Sequence, residues 1–249
     1  MKYSIVVAAL LASSAVAAPT TKLNAKQRLA QRNKNAARSE YYNESWSGAV
    51  LTGAVYTGVS ASFSIPKPQV GTTGETSASD FTASTWVGID GYNCNNLWQA
   101  GVDATIEKST GEVSYYAWYE WYPAATQVIE LGTLTAEDVI SVNITTSGLN
   151  QGTVVMENKS TGKSYTKTVS SANTLCGVSA EWIMEDLSVD SSNIGLANYG
   201  SVVFSDAVAT TASKTVIPSR AVILDIETSS NIVLTKSSVT DKSVTIAYV

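Results

Sequence analysis

Two short segments place an amide and carboxyls where hydrolytic chemistry can use them: Leu97-Trp98-Gln99-Ala100-Gly101-Val102-Asp103 and Ala180-Glu181-Trp182-Ile183-Met184-Glu185-Asp186. Successive side chains of a strand point to opposite faces. Leu97, Gln99, Gly101 and Asp103 therefore share one face of the first segment, and Glu181, Ile183 and Glu185 share one face of the second. Polar groups that interrupt an otherwise apolar strand face mark either a cleft or an internal hydrogen-bond network. The 249 residues contain no histidine, which excludes Ser/His and Cys/His nucleophile pairs and imidazole metal ligands. Any hydrolysis must fall to carboxylates, amides, hydroxyls and water.

A third segment, Ser114-Tyr115-Tyr116-Ala117-Trp118-Tyr119-Glu120-Trp121-Tyr122-Pro123, carries Tyr116, Trp118, Glu120 and Tyr122 on one face and Tyr115, Ala117, Tyr119 and Trp121 on the other. Two aromatic faces are not both ordinary surface. Either both are buried, or one packs in the core while the other, with its carboxyl, lines a groove. Trp86, Gly88 and Asp90 share a face in a fourth segment, just before Cys94.

The elements that hold these residues read as strands. Alternation of period two, abundant Val, Thr, Ser and Tyr, and turn residues every 8 to 12 positions predict an all-β chain, an antiparallel β-sandwich, with almost nothing helical after Ser39. The candidate strands are 47–51, 58–65, 84–89, 97–102, 114–122, 139–145, 152–158, 164–168, 179–185, 200–204, 221–226 and 243–248. The stretch 66–80, with Pro66, Pro68, Gly71 and Gly74, reads as a long loop able to border a groove, and 207–213 as a mobile loop. There is no internal repeat and no interdomain linker, so one domain is expected.

Residues 1–17 read as a secretory signal peptide, with an early lysine, an apolar run from Ile5 to Ala12 and small residues up to Ala17. The run is too short for a membrane span, which needs about 20 residues. The next segment, 18–39, holds Lys22, Lys26, Arg28, Arg32, Lys34 and Arg38 and no acid. A basic arm at a chain end is often a nucleic-acid tail. After a signal peptide it reads as a propeptide that lies over an acidic cleft at neutral pH and lets go when carboxylates protonate. Residues 40–249 then hold nine cations against 21 acids, a net charge of −12. The expected product is secreted and extracellular, with no nucleic-acid partner and no membrane anchor. Cys94 and Cys176 suit a disulfide in an oxidising compartment. Asn43, Asn143 and Asn158 open Asn-X-Ser/Thr acceptor sequences for glycosylation.

The segments in this order resemble the fungal glutamic peptidases, the eqolisin family, also called peptidase family G1. The likeness runs over residues 40–249 and rests on Ser45-Trp46-Ser47-Gly48-Ala49-Val50-Leu51, Ser84-Thr85-Trp86-Val87-Gly88-Ile89-Asp90-Gly91, the Gln99 segment, Ala117-Trp118-Tyr119-Glu120-Trp121-Tyr122-Pro123, the Glu185 segment, and Leu224-Asp225-Ile226-Glu227 with Ser243 to Val249. It implies two large antiparallel sheets of the concanavalin or lectin-like kind, and a catalytic pair formed by Gln99 and Glu185, with Glu181 a nearby decoy. Asp90, Asp103 and Glu120 correspond to carboxylates hydrogen-bonded around the pair, and Trp86 and Trp118 to walls of the substrate cleft. The family's usual QTGVD reads QAGVD here, so Ala100 takes a hydroxyl away from the neighbourhood of the glutamine. A second cysteine pair of some members aligns with Thr82 and Thr105, both partners being lost together.

The resemblance implies an acid endopeptidase that cleaves proteins or peptides as a monomer, without metal or cofactor. Glu185 would take a proton from water and return it to the leaving amine, while the Gln99 amide donates to the oxyanion. From the residues alone, two rivals stand beside this: a carbohydrate-binding sandwich whose aromatics stack on sugars, and a glycoside hydrolase built on Glu120 and Glu185, whose carboxyls would stand about 5 to 9.5 Å apart.

Overall fold

The computed structural model describes residues 40–74, 76–189 and 192–249. The expected signal peptide and basic arm lie outside the described residues. The strands, in order, are β1 (Glu40–Asn43), β2 (Trp46–Thr52), β3 (Tyr56–Ser64), β4 (Asp80–Asp90), β5 (Leu97–Glu107), β6 (Val113–Tyr122), β7 (Gln127–Ile129), β8 (Val139–Thr146), β9 (Gln151–Asn158), β10 (Lys163–Ser170), β11 (Ser179–Glu185), β12 (Ser188–Val189), β13 (Ser192–Asn193), β14 (Ser201–Thr211), β15 (Thr215–Val216), β16 (Val222–Ile226), β17 (Thr235–Val239) and β18 (Ser243–Tyr248). A single 3-10 turn, Pro218–Arg220, is the only helical element among the described residues.

Two large sheets face each other. The first runs β1-β16-β2-β11-β4-β5-β6-β7, and the second β10-β9-β8-β3-β14-β18-β17 with β15 on the flank of β14. Pairing is antiparallel throughout both sheets except between β1 and β16. The second sheet shows the one-sided pattern its sequence predicts. In β8, Ile140, Val142 and Ile144 are buried while Asn143 and Thr145 face water. The first sheet differs: β11 is buried at every position, and β4 and β5 nearly so. Their inner faces meet the second sheet in a core that includes Trp98, Trp182, Phe63 and Phe204. Their outer faces are covered by a second apolar cluster of Trp46, Val50, Trp86, Leu97, Trp118, Ile183 and Leu224, with Tyr41, Tyr92, Tyr116 and Tyr122 at its margin. Burying one such large side chain contributes on the order of 2–3 kcal/mol.

Gly48 shows how closely the central strands approach. Its φ is +135°, and a Cβ there would lie 2.0 Å from the Trp182 carbonyl oxygen. The disulfide between Cys94 and Cys176 closes a separation of 82 residues and ties the β4–β5 turn to the segment before β11. Closing a loop of that length contributes about 4 kcal/mol in the chain-entropy picture. Thr82 and Thr105 are cross-strand partners in β4 and β5, with their hydroxyls 2.9 Å apart, so a hydrogen bond stands where relatives' second cysteine pair would align.

Three expectations need correction. Residues 207–211 are not a mobile loop: they form the second half of β14, paired with β3 and β15, with Ala207 and Ala209 in the core. Small residues there serve close packing between sheets, which composition alone does not separate from loop character. None of the described residues of the loop 66–80 lines the small cleft that holds Gln99 and Glu185; Gln69 bridges to Asn198, and the Thr72 and Thr73 amides donate to the Tyr248 hydroxyl. Ala100 faces the core between the sheets, opposite Gln99, so the missing hydroxyl leaves the glutamine's surroundings untouched.

The three acceptor asparagines are not equivalent. Asn158 is fully buried; its amide donates to Asp138 at 3.0 Å, and its carbonyl accepts from the Ser160 and Thr161 amides. Asn43 folds the β1–β2 turn, accepting from Ser45 and Trp46 N–H and donating to the Trp46 carbonyl. Asn143 and Thr145 alone lie together on an exposed strand face. When the chain is secreted from a glycosylating host, peptide mass spectrometry should find a glycan at Asn143 and none at Asn158, because a sugar on Asn158 is incompatible with the fold. A folded, secreted product carrying the glycan at Asn158 would refute this.

Candidate active site

Register across the outer face of the first sheet sets the site out in rows. Trp46, Glu185, Ser84, Asp103 and Tyr116 form one row across β2, β11, β4, β5 and β6. Ile183, Trp86, Gly101 and Trp118 form the next, and Glu181, Gly88, Gln99 and Glu120 the third. Alternate residues along a strand stand roughly 7 Å apart. The first and third rows can therefore meet only if the middle row leaves space between them. Gly101 leaves it: a Cβ there would lie 2.3 Å from the Thr85 carbonyl and 2.5 Å from Trp86 Cβ. Gly88 lets Trp86 lie flat, its own Cβ position being 2.8 Å from the Trp86 ring.

A small cleft opens at this point, lined by Gln99, Asp103, Tyr116, Trp118, Glu120, Thr126, Glu185 and Leu187. Its cavity volume of about 20 Å³ has room for about one water. A larger, open depression around Ser147–Gln151 and Ser170–Ala172 holds no titratable side chain. The cleft thus brings together five of the residues singled out in the sequence: Gln99, Glu185, Asp103, Glu120 and Trp118.

Hydrogen bonds hold its carboxyls and its amide, each by at least one atom. Trp86 Nε1 donates to Glu185 Oε2 at 2.9 Å. The Trp46 indole lies beside the same carboxyl and favours its charged form, although neither Trp46 Nε1 nor Glu185 Oε1 completes a hydrogen bond. Gln99 Nε2 donates to Glu120 Oε2 at 2.7 Å, and Thr126 Oγ1 donates to Glu120 Oε1 at 2.8 Å. Gln99 Oε1 is buried without a partner. Asp103 Oδ1 accepts from Ser84 Oγ at 2.6 Å and from Trp118 Nε1 at 2.7 Å.

Two residues stand elsewhere than the sequence suggested. Trp86 is wholly buried, so it is a floor beneath Glu185 rather than a wall of the cleft. Asp90 lies off the cleft at the end of β4, in a positive-φ conformation, and accepts the backbone N–H groups of Cys176, Gly177 and Val178, each at 2.7 Å. Face parity alone put Asp90 on the right side of the sheet; it carried no information about how far along the strand the cleft extends. Asp90, Cys94 and Cys176 form the one metal-like trio among the described residues, and its two sulfurs are bonded to each other. Sequence reading also missed Ser84, Thr126 and a role for Trp46. Ser84 and Trp46 could have been found from parity with Trp86 and from register with Glu185, whereas Thr126 follows the end of β6 and carries no periodic signal.

Burial dominates the electrostatics. It pushes Glu185 up to about 8 against the pull of the Trp46 and Trp86 indoles, with further repulsion from Glu120 and Asp103. Glu120 is pushed up to about 7 by burial, opposed by Thr126 and Gln99 and raised further by Asp103. Burial raises Asp103 as well, against donation from Ser84, Tyr116 and Trp118. Glu181 is buried and neither oxygen completes a hydrogen bond, although the Ser179 hydroxyl lies beside it and favours its charged form; burial, then the charge of Asp90, raises it well above the usual carboxyl range. The low-dielectric face therefore favours protons over multiple negative charges.

Comparison with known proteins bears on this site. The profile of the Peptidase A4 family matches residues 44–248. Over the full length of both chains, the sequence is 36% identical to Aspergillopepsin-2 of Aspergillus niger. It is 30% identical to Scytalidopepsin B of Scytalidium lignicola over 92% of this chain and 80% of that one. The fold matches the crystal structure of scytalido-glutamic peptidase with a transition state analog inhibitor at a TM-score of 0.73 and 29% identity, covering 83% of this chain and 99% of that one. It matches aspergilloglutamic peptidase from Aspergillus niger at a TM-score of 0.63 and 41% identity, covering 68% and 99%.

Two outcomes follow from the geometry. Because the folded state raises the proton affinity of Glu120, Glu185 and Glu181 above the ordinary glutamate value of 4.5, it holds more protons than the unfolded chain above that pH. For Glu120 and Glu185 this stabilisation is fully present below about pH 4.5 and is lost as pH rises through about 7 and 8, each pKa unit being worth about 1.4 kcal/mol, and Glu181 acts in the same direction. Thermal unfolding of the 40–249 domain should show a midpoint that falls over this window, and Glu181→Gln should flatten the fall; a midpoint that rises from pH 5 to 8 refutes the assignment. Gly101→Ala must displace Trp86, and should cut activity at least about tenfold while the domain still folds, read by turnover beside circular dichroism.

Proposed function

Since the chain belongs to the peptidase A4 family and is a glutamic peptidase, a hydrolase of peptide bonds, we propose that Gln99 and Glu185 form its catalytic pair. The observation that carries this reading is that both side chains line one cleft with space for about one water, each retaining an unpartnered buried oxygen. Those two oxygens are acceptors suited to a nucleophilic water.

Glu185 as carboxylate removes a proton from that water as its oxygen attacks the scissile carbonyl. The carbonyl π electrons move to oxygen, and Gln99 Nε2, which has one N–H beyond that given to Glu120, donates to the oxyanion. Collapse of the tetrahedral intermediate breaks the C–N bond, and Glu185 returns its proton to the departing amine. The proton balance closes on one residue.

The carboxyl neighbours set the pH range. Burial is the main cause of the Glu185 value of about 8, and repulsion by Glu120 and Asp103 adds to it. With Asp103 and Glu120 protonated that repulsion vanishes, and the Glu185 carboxylate forms at lower pH. Ionising Glu120 and Asp103 would set charges beside the nascent oxyanion and oppose it. Activity is accordingly confined to acid.

The substrate is a protein or peptide chain, and Trp118, Tyr116 and Leu187 give the cleft apolar surface for its side chains. A monomer suffices, since one chain supplies every residue named. The signal peptide over 1–17, the basic propeptide over 18–39 and the catalytic domain over 40–249 complete the reading, which makes the enzyme secreted and extracellular. Among the described residues no helix is long and apolar enough to cross a membrane.

Cleavage of a denatured protein between about pH 2 and pH 7, the span that brackets a glutamate's titration, should be acid-limited. Gln99→Ala should lower kcat by roughly 10²–10³, the usual cost of one oxyanion donor. Glu185→Gln should abolish turnover while leaving the circular dichroism spectrum unchanged. Full activity in either variant would move catalysis elsewhere.

A further inference from the structure

We propose that Thr126 is a positioning residue whose hydroxyl holds the Gln99 amide in one orientation whichever way Glu120 is protonated. The inference rests on Gln99 as the oxyanion donor. Thr126 is half-buried, lines the cleft beside Gln99 and Glu185, and bonds Glu120 Oε1 while Gln99 Nε2 bonds Oε2. Glu120 is 2% exposed, so these two partners stand in for water at its oxygens.

An amide of glutamine can turn over, exchanging its donor and acceptor ends at little cost in shape. What stops it here is the partner it faces. An ionised Glu120 only accepts, so it demands the Nε2 end. A protonated Glu120 carries one O–H, and that proton needs an acceptor. Buried beside Asp103 of β5, with Tyr116 of its own strand and Glu185 of β11 facing it around the cleft, Glu120 is protonated in the acidic range where the enzyme works. If the only neighbouring acceptor were Gln99 Oε1, the proton would pull the amide round and take its N–H from Glu120.

A hydroxyl removes that choice because it both donates and accepts. With Glu120 ionised, Thr126 Oγ1 donates to Oε1, as observed. On protonation at Oε1, the hydroxyl rotates and accepts, and Oε2 still receives Gln99 Nε2. The Thr126–Glu120–Gln99 chain therefore absorbs a proton without moving the donor. Glu120 titrates, and the catalytic amide stays still.

The test compares wild type, Thr126→Val, Thr126→Ser and Gln99→Ala in peptide cleavage across the acidic range. Thr126→Val keeps the shape and removes the hydroxyl. It should lower kcat about tenfold at the acid end with KM little changed, and the deficit should shrink as pH approaches Glu120's value of about 7. Thr126→Ser should restore the wild-type pH profile. A Thr126→Val deficit that is uniform with pH, appears in KM alone, or is not rescued by serine would overturn the inference, as would a profile identical to wild type. Gln99→Ala separates the two levels. If it is inactive while Thr126→Val follows wild type, only the role of Thr126 falls; if it remains fully active, the Gln99 reading falls with it.

Discussion

The hydrogen bond from Trp86 Nε1 to Glu185 Oε2, at 2.9 Å in a site closed to solvent, concentrates the problem that this structure solves. A carboxyl on the outer face of a sheet would normally be solvated, and its chemistry would be that of free glutamate. Here the outer face is roofed by its own side chains, so each carboxyl must be satisfied by protein donors or hold a proton. Indoles meet both needs at once. Trp86 and Trp118 bury their rings in the apolar cluster and spend their N–H groups on Glu185 and Asp103. The same residues supply the low dielectric and the partial neutralisation of charge within it.

Everything around that arrangement keeps the rings flat and the strands close. Glycine appears where a ring or a carbonyl needs the space: Gly88 beneath Trp86, Gly101 between Trp86 and Trp118, and Gly48 against the Trp182 carbonyl. Asp90 is unused by the cleft, but its carboxylate gathers three consecutive backbone N–H groups beside the disulfide. That anchors the entry into β11, the strand that ends at Glu185. Rigid strands rather than loops thus supply Gln99, Asp103, Glu120 and Glu185, which favours a preorganised site over one assembled on binding.

Most of this was legible in the sequence because strand parity is a strong rule. It placed Gln99 with Asp103, Glu181 with Glu185, and Trp118 with Glu120 on common faces, and those faces proved to be one. The aromatic run in β6 left two readings open, both faces buried or one in the core and one on a groove; Tyr119 and Trp121 enter the main core, while Trp118 and Glu120, themselves nearly buried, line the cleft. What parity lacks is position along the strand: Asp90 and Glu120 obey the same rule, yet only Glu120 reaches the cleft. It is also blind beyond strand ends. β7 and Thr126 follow a turn whose geometry no period encodes, and β17 was lost among serines and lysines that suit an edge strand as well as a loop. The stretch at the end of β14 failed for the opposite reason, since small residues that permit close packing look like small residues that permit motion.

Burial that sharpens the chemistry also limits where the protein can work. Asp103, Glu120, Glu185 and Glu181 all lie on one face with at most 3% exposure. Each additional charge there is repelled by the others and poorly hydrated, so protons are part of the folded structure. In acid the face is nearly neutral, the sheet is stable, and one carboxylate can form against its indole donors. As pH rises, the same residues become a source of strain, and under the proposed mechanism the oxyanion would meet negative neighbours instead of neutral ones. Stability and, on that reading, turnover are then lost for one physical reason.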